Sequence, residues 1–140
     1  MLHQPTNEFG ILNSRKRAVI ALIHSFFFLG IAVHGFASPK AGILVPGLVA
    51  TADIVLIAIY LTVASILAWL VTISKCARER VYFVLCTGSA TFGLLRTVFG
   101  DSVFPAAQYL RVILLTSAVG VGTWILRSFS RAVSADALTD

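Results

Sequence analysis

Ionisable side chains are scarce in this chain, and five of them fall at what hydropathy makes a single depth: His34, Asp53, Arg96, Asp101 and Arg111. Arginine carries a planar fork of donors that matches a carboxylate or a phosphate bidentately. Two arginines facing two carboxylates can hold an anion, a carboxylate substrate or a lipid headgroup. They can also pair only with each other across helices. The plainer expectation is that Arg96 and Arg111 snorkel to the membrane boundary. Asp53 would then favour the start of a helix through the helix dipole, and Asp101 would sit in a turn. Ionisable groups inside a membrane mark function by default, but these lie near its edge.

His24 and His34 are the other candidates. They are ten residues apart on one predicted helix, which is about 15 Å at 1.5 Å per residue. They cannot both ligate one haem. The remaining histidine, His3, lies in the N-terminal tail. One copy of the chain therefore has no bis-histidine site, although a homodimer would supply one for haem b. The first expectation for both is a satisfied polar residue between helices, with haem or quinone contact as the alternative. Cys76 and Cys86 form no CxxC and no Cys/His zinc spacing, so both read as reduced thiols and no metal site is expected. There is no HExxH, no glycine-rich phosphate loop and no Ser/His/Asp grouping. Asp53 and Asp101 are the acidic residues near the membrane, too few for the carboxylate or histidine cluster that chemistry there needs. The chain reads as non-enzymatic.

Thr97-Val98-Phe99-Gly100-Asp101 resembles the T-V-G-Y-G-D filter of potassium channels, which stacks backbone carbonyls. The resemblance covers about nine residues. One glycine is missing, so the register of carbonyl sites cannot form, and no role follows from it.

The elements that must position these residues are four apolar stretches. The spans are expected at about 18–37, 51–74, 81–99 and 107–127, each near the length that crosses about 30 Å of hydrocarbon. Apolar residues make up 58 % of the chain and charged residues 12 %, against about 25 % charged in soluble domains. A soluble domain of 140 residues cannot hide that much apolar surface, and a bilayer removes the need. The net charge of +5 is spread around the apolar segments and not interleaved with aromatics. It points to lipid, not to nucleic acid.

Residues 1–17 read as a cytoplasmic tail, 18–130 as the transmembrane domain and 131–140 as a second cytoplasmic tail. A cleaved signal peptide competes for the first segment, but its apolar run is longer than such regions usually are. Thr51 is expected as an N-cap, Pro46-Gly47 as a turn, and residues 75–80 as a tight turn. The uncharged cores 81–95 and 112–126 are bracketed by Arg80 and Arg96, then by Arg111 and Arg127. Each spans only about 22 Å, and the matched spacing suggests antiparallel neighbours.

Counting basic residues orients the chain. Arg15, Lys16, Arg17, Lys75, Arg78, Arg80, Arg127 and Arg131 fall on one side, and Lys40, Arg96 and Arg111 on the other, eight and three of the eleven. By the positive-inside rule both termini are cytoplasmic. The expected fold is all-α: a polytopic four-helix transmembrane bundle, up-down-up-down. Small residues mark close-packing faces: Gly88, Ser89 and Gly93 on the third segment, Ala118, Gly120 and Gly122 on the fourth. The expected function is ligand or ion binding, or transport, at the outer face, by a homo-oligomer in a bacterial plasma membrane. The alternative is an anchor or assembly subunit of a larger membrane complex, such as a respiratory one.

Overall fold

The computed structural model describes residues 15–43 and 51–139. It is all-helical. The elements are α1 (Arg15–Ala37), α2 (Thr51–Ile73), α3 (Ala77–Val103) and α4 (Ala106–Thr139). All four are long and apolar enough to cross a membrane, so this is a multi-pass membrane protein. Helix is the form these segments must take in lipid, because it satisfies every backbone donor and acceptor within the segment. Large apolar side chains on every helix remain exposed, among them Phe27, Ile66, Val84 and Ile113. Acyl chains are a matching solvent for them.

The helices end where local chemistry stops them. Cys76 is extended (φ −86°, ψ 128°) and α3 starts directly after it, with Glu79 in its first turn. Arg78, Glu79 and Arg80 are thus helical, not part of the expected turn; an acidic residue near a helix N-terminus is favourable. At the far end of α3, Gly100 has φ 74° and breaks the regular helix. Only glycine takes that conformation without strain. Thr97, Val98 and Phe99 are helical, so the stretch resembling a channel filter is not built as one. Thr51 lies inside the first turn of α2, and position 50, where a cap would stand, lies outside the described residues. Residues 1–14, including His3, and the Pro46-Gly47 pair also lie outside them. α4 continues as helix through the stretch read as a tail, as far as Thr139. Alanine and leucine are strong helix formers and no proline follows Pro105 to stop it.

The packing order is α1–α4–α3–α2: α4 lies against α1 and α3, and α2 lies against α3. α1 and α2 flank the bundle without packing extensively on each other among the described residues. α4 buries Ala107, Arg111, Leu115, Ala118, Gly122 and Ile125, a stripe at three- and four-residue spacing that faces the interior. The core joins Tyr82, Phe83, Ala118 and Ile125. The Tyr82 hydroxyl donates to the carbonyl of Ala21 at 2.7 Å and contacts Ser25 Oγ, tying α3 to α1. α2 buries only Tyr60.

The small residues do most of their packing inside the chain. A Cβ on Gly122 would stand 2.8 Å from Leu22 Cδ2 and 3.1 Å from Tyr82. A Cβ on Gly88 would stand 3.0 Å from Leu114. Ser89 and Ala118 are buried. Gly120 departs from the expectation, since nothing lies within 4 Å of a Cβ built there. Gly122→Leu should therefore destabilise the protein by about 1–3 kcal/mol, the usual cost of overpacking. Gly120→Leu should leave the monomer's melting temperature unchanged. Equal melting temperatures for the two variants in detergent would contradict this packing.

Candidate functional site

One end of the bundle gathers the C-terminal ends of α1 and α3 with the N-terminal ends of α2 and α4. The segment after α1 is strapped onto α3. Lys40 N donates to Asp101 Oδ2 at 2.8 Å, Asp101 N donates back to the Lys40 carbonyl at 2.9 Å, and Ile43 N donates to the Thr97 carbonyl at 3.3 Å. Ala41 and Gly100 form an antiparallel bridge. Gly42 and Gly100 allow this approach, because a Cβ on either would meet the other's backbone. Gly100→Ala adds both a clash and a strained φ. It should lower stability by about 1–3 kcal/mol, read as a lower melting temperature; an unchanged value would show that the strap is not held at this point.

Arg96 is the hub of the strap. Its Nε donates to Asp101 Oδ1 at 2.8 Å, and its Nη2 donates to the carbonyls of Gly35 and Ser38, each at 2.7 Å. These carbonyls lie at or just beyond the end of α1, where helices leave acceptors unsatisfied. A cation there also suits the helix dipole. Lys40 Nζ meets Asp53 Oδ1 at 2.6 Å, which ties the strap to α2. Gln108 on α4 donates from Nε2 to the Ala32 carbonyl of α1. Each helix is thus tied to the cluster by a polar side chain.

The expectation that Arg96 and Arg111 snorkel outward is corrected here. Arg96 is 8 % exposed and Arg111 is 3 % exposed. Both turn into the bundle, because the carbonyls at the end of α1 and the face of Tyr60 give them better partners than lipid does. The Arg111 guanidinium lies over the Tyr60 ring, 5.0 Å from its centre. Gly93 makes room for that stack; a Cβ there would stand 2.9 Å from Tyr60 and 3.2 Å from Arg111. Arg111 has no carboxylate partner, and its Nε has no hydrogen-bond partner, among the described residues.

The charges do not balance. Lys40 pairs with Asp53 and Arg96 with Asp101. Three cations against two anions leave one positive charge, and it belongs to buried Arg111. Burying an uncompensated charge is costly. A tyrosine face recovers about 0.5–2 kcal/mol of that.

Two cavities adjoin this residue. One, of about 240 Å³, is lined by His34, Lys40, Tyr60, Arg96 and Arg111 among others. The second, of about 290 Å³, is almost wholly apolar and is lined by Phe28, Val63, Leu67, Phe83 and Leu115, with Arg111 at its edge. Arg111 stands at the boundary of the two. The five residues singled out from the sequence, His34, Asp53, Arg96, Asp101 and Arg111, do reach this end, though Asp53 and Asp101 are engaged in ion pairs and do not line the cavity. His24 belongs to the inner cavity and His34 to the outer one, so the two histidines do not converge. Among the described residues no group of three or more His, Cys, Asp or Glu could hold a metal. Cys76 and Cys86 are free thiols.

Sequence reasoning missed Tyr60 and Gln108 as members of the site. Gln108 had a signal, since it precedes Arg111 by three residues and shares its helix face. Tyr60 is buried by tertiary contact alone. Compared with protein-family models, curated proteins and solved structures, the chain matches none of them.

Proposed function

We propose that this is a non-enzymatic membrane protein that binds an anionic group at the Lys40 end of its bundle. It works as a ligand-binding or transport protein, as a homo-oligomer or as a subunit of a larger membrane complex. The observation that carries this reading is the buried, uncompensated charge of Arg111 at the edge of an open cavity. An anion there cancels the excess charge. Arg96 and Lys40, both on the cavity wall, add to the positive potential.

The membrane orientation belongs to the same proposal. Eight of eleven basic residues fall at the opposite end, which makes that end cytoplasmic and the Lys40 end external. The compartment is a bacterial plasma membrane. Gly120, opening away from its own bundle, is the place on α4 where a second copy has room to pack.

Ligand binding to the native state raises the melting temperature by mass action. Purified protein in neutral detergent should melt higher in acetate, phosphate or decanoate than in a non-binding buffer of equal ionic strength. Arg111→Gln should abolish the shift. No shift with any of the three would refute the reading. The alternative, an anchor subunit touching haem or quinone, draws on His24. Its Nδ1 donates to the Ile20 carbonyl at 2.9 Å, which leaves Nε2 for a ligand in the inner cavity. A Soret band in the purified protein would favour it.

A further inference from the structure

We infer that the ligand is an anionic amphiphile drawn from the bilayer, with its head at Arg111 and its chain in the inner cavity. This inference rests on the anion-binding reading and names the class of ligand. A small inorganic anion would use the outer cavity and leave the inner one without purpose. The inner cavity offers few polar atoms to hold water, which needs two to four partners to be stable in a buried site. Its lining is what a hydrocarbon chain requires, and Arg111 stands where a chain of that kind would carry its carboxylate or phosphate.

The route of entry is built into the packing order. α1 lines both cavities through His24 and His34, and α2 lines both through Val63 and Tyr60. These two helices are the ones that do not pack extensively on each other. Both cavities therefore occupy the gap between α1 and α2, and that gap faces the acyl region of the membrane. A ligand already dissolved in the bilayer reaches the site sideways, chain first or head first, without crossing water.

Native mass spectrometry of the full chain in neutral detergent tests this. The probes are oleate, oleyl alcohol, acetate and inorganic phosphate. Wild-type protein should hold one oleate per chain, at least tenfold more tightly than oleyl alcohol or either small anion, since chain burial and charge both contribute. Ala90→Phe and Val63→Trp fill the inner cavity from α3 and α2. They should weaken oleate at least tenfold and leave the small anions unchanged; Val63 is only half-buried whereas Ala90 is buried, so the Val63 variant guards against a fold defect in the first. Oleate binding both filled variants as it binds the wild type would overturn the chain site while leaving the anion site standing. Arg111→Gln that still holds oleate like the wild type would overturn both. Phosphate bound as tightly as oleate would assign the site to a free anion, against the inference.

Discussion

Replacing Arg96 by alanine should lower stability by about 3 kcal/mol, the order expected when a part-buried, multiply bonded charge pair loses one partner. The loss is large because one side chain serves three elements. It satisfies Asp101 on α3, the Gly35 carbonyl on α1 and the Ser38 carbonyl in the strap. Without it, the Gly35 and Ser38 carbonyls lose their side-chain donor and Asp101 keeps only the backbone N–H of Lys40. Arg96→Lys should recover only part of the loss, because an ammonium cannot bond a carboxylate and two carbonyls in one plane. Thermal unfolding in detergent measures this directly. If Arg96→Ala melts within about a degree of the wild type, the hub does not hold the bundle together.

Arg111→Gln should do the opposite to stability while removing function. The native guanidinium is buried without a counter-charge, and an unpaired charge buried inside a protein is costly. Glutamine keeps most of the length, stays polar and carries no charge. The ligand-free protein should gain on the order of 1–2 kcal/mol from the change, after subtracting the lost contact with Tyr60. Anions should no longer raise its melting temperature. A residue that destabilises the empty protein and is needed for binding is the pattern expected of a functional site. If Arg111→Gln melts lower than the wild type without anions, Arg111 is a structural residue and the charge argument fails.

The four helices were legible because lipid as solvent rewards continuous apolar runs, and those runs stand out along the chain. The expected end of the third span at residue 99 coincides with the break at Gly100, where glycine followed by aspartate marks a turn. The grouping of Arg96, Arg111, Asp53 and Asp101 at one end was legible too, because position along a spanning helix sets depth. Direction was not. A helix that is apolar all round carries little signal for which side faces a neighbour, so inward and snorkelling arginines look alike in sequence. The order α1–α4–α3–α2 was equally hidden, and with it the gap between α1 and α2. The stack of Arg111 on Tyr60 over Gly93 joins three helices and has no local signature. Gly122 and Gly120 look the same in sequence, yet one packs on Leu22 and Tyr82 and the other faces open space.

The excess charge of Arg111 calls for a bound anion to neutralise it. The most direct measurement is native mass spectrometry of wild-type protein and Arg111→Gln, both extracted gently from their membrane with no ligand added. The wild type should carry a mass excess that leaves as an anion on collisional activation, and Arg111→Gln should run at its bare sequence mass. A wild type at bare mass, or an adduct that persists unchanged in Arg111→Gln, would contradict the claim.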